Sequence, residues 1–101
     1  MTDKKVAKAL GWNHRVSART GAGWWQDPEG RDRELRPFTT SLDCIVAEIQ
    51  ARGLKFYLES APTPKGQPQM YDARVERYAV TYQQGAPLAL CAALLKYLEA
   101  L

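Results

Sequence analysis

A chain of 101 residues, 46% apolar and 25% charged, suffices for one domain with a single core and excludes a disordered composition. No apolar run approaches the roughly 20 residues that a bilayer-spanning helix needs. The formal net charge of +3 is too mild to announce a nucleic-acid or membrane-surface partner by itself.

Thr2 is placed to cap a short helix running to Lys8 or Leu10, with Asp3 complementing its positive start. Val6, Ala9 and Leu10 form the apolar edge of that helix, and Gly11 is a natural stop. So short a helix is marginal alone and must dock, and Trp12 just past its end is a candidate anchor. From residue 13 to 37 the periodicity is lost. Gly21, Gly23, Asp27-Pro28-Glu29-Gly30 and Pro37 punctuate this stretch, which reads as an irregular segment of loop and turn. Asp-Pro-Glu-Gly suits a type I turn. Trp24 and Trp25 stand directly before it; on extended backbone they point to opposite sides, so only one enters a core easily.

Residues 39–53 carry the clearest local signal. Thr40-Ser41-Leu42-Asp43 reads as a capping-box helix start, and Leu42, Ile45, Val46 and Ile49 follow at helical spacing. Arg52 suits the negative helix end, pairs at i,i+4 with Glu48, and precedes Gly53 as a left-handed cap. Leu54 to Glu59 alternates with period two, so Leu54, Phe56 and Leu58 are expected to face a core. Residues 60–69, rich in Pro and Gly, form an exposed loop. Met70 to Val75 and Tyr78 to Tyr82 read as two more strands joined tightly near Glu76-Arg77, with Tyr78, Val80 and Tyr82 on one face. The three strands predict an antiparallel meander.

Pro87 fits the first turn of a final helix, where its missing N–H costs nothing. Leu88, Cys91, Leu95 and Leu98 make one apolar stripe, and Leu90, Leu94, Tyr97 and Leu101 make a second. A helix apolar on two sides is buried between layers or offers one stripe to a partner chain. Burial is favoured, because the first helix and the tryptophans also need a packing surface. The expected fold is α+β in the order α-loop-α-β-β-β-α, within one domain over residues 1–101.

Four landmarks recur together in a known pattern: Leu10-Gly11-Trp12, the Trp24-Trp25…Asp27-Pro28-Glu29-Gly30 loop, Pro37 to Asp43 leading into a helix, and Ala86 to Leu94 opening the last one. In order and spacing they resemble the phage ABA sandwich domain family of small bacteriophage proteins, over nearly the whole chain. The resemblance implies an α/β/α-type sandwich, a phage or prophage origin and no established biochemical activity. It carries over no catalytic or ligand residues. The loop at 60–69 is longer and more polar than the family leads one to expect.

His14 lies in the irregular segment with no nucleophile pattern beside it, and Gly21-Ala22-Gly23 is not followed by a phosphate-binding helix start. Cys44 and Cys91 sit in apolar helical patterns and read as buried reduced thiols; a single histidine gives a zinc site no support. No cofactor and no enzymatic activity are expected. The charged N-terminus lacks a signal peptide's apolar stretch, so the cytoplasm (of a bacterial host, on the resemblance) is the expected address.

Charge is unevenly placed: residues 1–38 hold eight Lys/Arg against five acids, while 39–101 hold six of each. Trp12, Trp24 and Trp25 with Arg31, Arg33 and Arg36 are therefore the candidate interaction surface, since aromatics and arginines dominate protein contacts. The leading expectation is a small non-enzymatic accessory protein acting through protein–protein contact or self-association. The alternative is nucleic-acid binding by the basic, Trp-containing N-terminal third. Helix, three strands, helix is also the order of double-stranded-RNA-binding domains, but Gln83 to Leu88 carries no cation where those place lysines.

Overall fold

The computed structural model describes residues 1–82 and 85–101, so Gln83 and Gln84 of the RNA-binding comparison lie outside the described residues. The elements are α1 (Asp3–Ala9), β1 (Asn13–Val16), β2 (Gly23–Gln26), β3 (Asp32–Arg33), α2 (Leu42–Ala51), β4 (Phe56–Ala61), β5 (Met70–Val75), β6 (Tyr78–Tyr82) and α3 (Ala86–Glu99). The fold is mixed α+β. Among the described residues there are two separate three-stranded antiparallel sheets, ordered β1-β2-β3 and β4-β5-β6. No helix among these residues is long and apolar enough to cross a membrane.

α3 organises the core. Pro87 occupies its first turn, and Ala89, Leu90, Cys91, Ala93, Leu94 and Leu95 are all buried. One side of α3 lies on β5 and β6, and α1 and α2 pack against it elsewhere. Leu90 and Leu94 of one stripe and Cys91 and Leu95 of the other are thus covered within the chain; Leu101, 83% exposed, drops out of its stripe. Each fully buried leucine contributes about 1.5–3 kcal/mol relative to exposure. The helices gather on one face of the second sheet, whose other face holds exposed Tyr57, Glu59, Arg74, Ala79 and Thr81. This differs from the expected α/β/α layering, because α1 and α2 find their apolar surface on α3 itself.

The ends of the first two helices follow the sequence logic with small shifts. The Lys5 N–H donates to Thr2 Oγ1 at 3.2 Å. Ala7, rather than Ala9, completes the buried edge with Val6 and Leu10, since the chain turns back over it and the Trp12 N–H donates to the Ala7 carbonyl. α2 is capped by Ser41, one residue later than a box begun at Thr40, with the Cys44 N–H donating to its Oγ. Ile45 and Ile49 are buried, Val46 is half-buried and Leu42 is 38% exposed. Gly53 takes φ +69°, as a left-handed cap requires. Asp3 joins the two helices by accepting from the Thr39 N–H (2.8 Å) and hydroxyl (2.7 Å).

In the second sheet, the pairs Phe56↔Val75, Leu58↔Ala73, Val75↔Tyr78 and Ala73↔Val80 define the face turned to α3. A two-residue turn at Glu76-Arg77 joins β5 to β6. Phe56 remains 38% exposed, because α3 lies over β5 and β6 more than over the edge strand β4. β4 also extends to Ala61, taking the first two residues of the expected 60–69 loop.

The largest correction falls on residues 13–37, which are not simply irregular. They form β1–β3, paired through Asn13↔Gln26 to Val16↔Gly23 and through Trp25↔Arg33 and Gln26↔Asp32. All four residues of β1 are exposed, as are both of β3. With only Trp25 and Gln26 even half-buried there is no apolar alternation to read, so periodicity misses the strands. The sheet makes its main contacts within itself. The radius of gyration is accordingly 15.2 Å, with extents of 54 × 30 × 21 Å, against about 13 Å for a compact chain of this length.

Candidate functional site

The six candidate residues take different roles in core, first sheet, clasp and cleft, although Trp12, Arg31, Arg33 and Arg36 line one cleft together. Trp12 is a correction: at 4% exposure it belongs to the core, edge-on to buried Phe38 with ring centroids 5.9 Å apart. Its position beside Gly11 already offered the anchoring role, which it fills. Trp25 is half-buried against the core and lies against His14, with ring centroids 4.9 Å apart and the planes tilted by 47°. Trp24, its neighbour on the opposite face of β2, is 39% exposed. The alternation expected of adjacent aromatics on extended backbone therefore holds.

Cross-strand register places His14, Trp25 and Arg33 on one face of the first sheet and Arg15 with Trp24 on the other. Arg15 Nε donates to Gln26 Oε1 at 3.0 Å, and Gln26 Nε2 donates to Asp32 Oδ1 at 3.1 Å. This chain of polar contacts crosses all three strands. Beyond Arg33 the chain leaves β2, opening a groove of about 450 Å³ lined by Gly23, Trp24, Trp25, Glu34 and Leu35 among others.

Arg31 and Arg33 are committed within the chain. Arg31 Nε donates to Oδ2 of Asp27 at 3.1 Å and Arg33 Nε forms an ion pair with the same oxygen at 3.0 Å, while Oδ1 accepts the Arg31 and Glu29 N–H groups. The turn forms as the sequence implied, with the Gly30 N–H donating to the Asp27 carbonyl and Gly30 at φ +84°. Asp27 is itself 4% exposed. Burial pushes its carboxyl pKa upward, but the hydrogen bonds and charge of Arg31, with Arg33 behind them, outweigh this and hold it below the ordinary value.

Arg36 takes no part in that clasp but borders the same cleft of about 380 Å³, between the 27–31 turn and α2, together with Trp12, Arg31, Arg33, Glu48 and Arg52. Arg52 sits 4.0 Å from Glu48 and donates to the Leu10 carbonyl. Half-buried Arg36 has no ion pair or side-chain hydrogen bond among the described residues, and the Trp12 indole N–H is buried with no partner among them. Arg52, Glu48 and Pro28 were not among the candidates; the i,i+4 spacing of Glu48 and Arg52 was visible, but not that a distant turn folds over them.

On the second sheet's outer face, the Tyr57 hydroxyl donates to Glu59 Oε2 at 2.6 Å and the Arg74 guanidinium lies 5.4 Å from the ring centroid. The Glu59 bond, with partial desolvation behind it, raises the Tyr57 pKa. Cys91 is enclosed in the core, its thiol donating to the Phe38 carbonyl at 3.2 Å; burial, with the Asp3 charge added, pushes its pKa up to about 12. Cys44 is half-buried, and both cysteines are free.

No protein-family model, curated protein or solved structure matches the chain. The resemblance to the phage family rests on the sequence landmarks alone.

Proposed function

We propose that this is a small non-enzymatic accessory protein of phage or prophage origin, working in the cytoplasm of a bacterial host by pairing with a second copy of itself. One observation carries the reading: β1 is an edge strand, exposed at all four residues, on a sheet separate from the one that α3 covers. An unpaired edge is a template for another strand. Neither proline nor lysine occurs in Asn13–Val16 to block such pairing, and Val16 at its end is 59% exposed. The terminal helix no longer supports self-association, since most of both its stripes packs inside the chain. The phage origin is supported only by the ordered sequence landmarks.

The nucleic-acid alternative loses ground on the same residues. Arg31 and Arg33 are paired with Asp27, Arg15 is bonded to Gln26, and Trp12 is buried, which leaves fewer rings and cations for stacking and phosphate contact. Light scattering after size exclusion, over a concentration series at low and high salt, tests the proposal. A dimer at both salts, converted to monomer by Val16→Lys, is expected. A monomer throughout removes the second copy as partner. A salt-sensitive mobility shift with oligonucleotides would return the reading to nucleic acid.

A further inference from the structure

We infer that the cleft between the 27–31 turn and α2 is a binding site for a small carboxylate with an apolar body, anchored on Arg36. The argument begins with charge. Four arginines border the cleft (Arg31, Arg33, Arg36 and Arg52) with three carboxylates, those of Asp27, Glu29 and Glu48. Each carboxylate is engaged by an arginine other than Arg36: Asp27 by Arg31 and Arg33, Glu29 by Arg31 at 3.6 Å, and Glu48 by Arg52 at 4.0 Å. One positive charge is left over, and it sits on Arg36. A half-buried guanidinium has lost part of its hydration, so an anion brought to it is bound more strongly than on an open surface.

The neighbours define what the anion is attached to. Ala47 and Ala51 give α2 a low floor there, and Pro28 and Trp12 supply apolar wall. The volume of about 380 Å³ falls in the range of small-molecule sites. Trp12 lines the same wall, its indole N–H buried behind it. A carboxylate on Arg36 takes the guanidinium fork in its preferred planar geometry, beside the Trp12 ring. A monoanion also balances the surplus charge, whereas a phosphate dianion overshoots it and meets Glu29 and Glu48. This site lies on the α2 side of the molecule, so it stands independently of edge pairing through β1.

The experiment is an NMR titration of the full-length protein with benzoate, read at the Trp12 indole resonance, with inorganic phosphate as competitor. Saturable displacement by benzoate is expected, and Arg36→Gln should weaken it by about tenfold or more, as for the loss of a charged hydrogen bond. Arg36→Lys, which keeps the charge but not the fork, should fall between; Trp24→Ser should bind as the parent does. A short peptide ending in a free carboxylate, compared with its amide, identifies the source. Peptide binding lost on amidation supports the site with a chain end as ligand, and benzoate binding alone supports it with a free acid. No saturable shift, phosphate binding as tight as benzoate, or undiminished binding by both Arg36 variants overturns the proposal.

Discussion

The molecule contains two antiparallel sheets of three strands each, and they have opposite relations to water. β4–β6 carry α3 on one face, and Ala73 and Val75 on β5 are 2% and 0% exposed. β1–β3 have no helix laid across them, and their most enclosed strand residues, Trp25 and Gln26, are only half-buried. The second sheet is therefore held by burial. The first depends on strand pairing, the His14–Trp25 ring contact and the Asp27 clasp at its base. Identical strand number and direction do not imply a shared source of stability.

The contrast can be tested by substitution. Leu94→Ala on α3 removes a fully buried side chain of the core that α3 forms with the second sheet and the other helices, and should cost about 2–5 kcal/mol in urea unfolding. Val16→Ala on exposed β1 should cost far less; equal losses would show that the first sheet is cored as well.

Thiol reactivity sharpens the same distinction. With its pKa raised to about 12, Cys91 has only about one part in ten thousand as thiolate at pH 8. Cys91 is expected to react with a disulfide reagent only as the protein unfolds, well after half-buried Cys44. Labelling of Cys91 at the Cys44 rate under native conditions would mean that α3 is less enclosed than described.

A smaller effect is expected at the base of the first sheet. Asp27→Asn should lower the melting temperature at neutral pH, by less than Leu94→Ala does. Because the folded pKa of Asp27 is depressed, its stabilisation is fully present above the ordinary carboxylate pKa and is lost as the pH falls through the lowered value. The gap between parent and variant should thus close on acidification. A gap that persists or widens at low pH would assign the effect to something other than the ion pairs.

The smallest effect belongs to Trp24, exposed on the sheet's outer side. Trp24→Ser should change stability by no more than about 0.5 kcal/mol, and a larger loss in thermal unfolding would reveal packing that the first sheet is not credited with.

By itself the sequence determined α2, α3 and the β4–β6 meander, because each is buried against the core, α3 on both its stripes, and burial imprints a period of 3.6 or 2 on the residues. It also located the Asp27–Gly30 turn and the opposed directions of Trp24 and Trp25, which follow from local backbone geometry. Only the tertiary structure decided that residues 13–37 form a sheet, since exposed strands place no periodic demand on their side chains. It also decided that Trp12 packs on Phe38, that Arg31 and Arg33 close on Asp27, and that Arg36 is left facing α2. A list of six aromatic and basic residues could not distinguish core, clasp and cleft. That distinction depends on which partners the fold brings near each one, Phe38 and Glu48 among them, and composition is silent about distance.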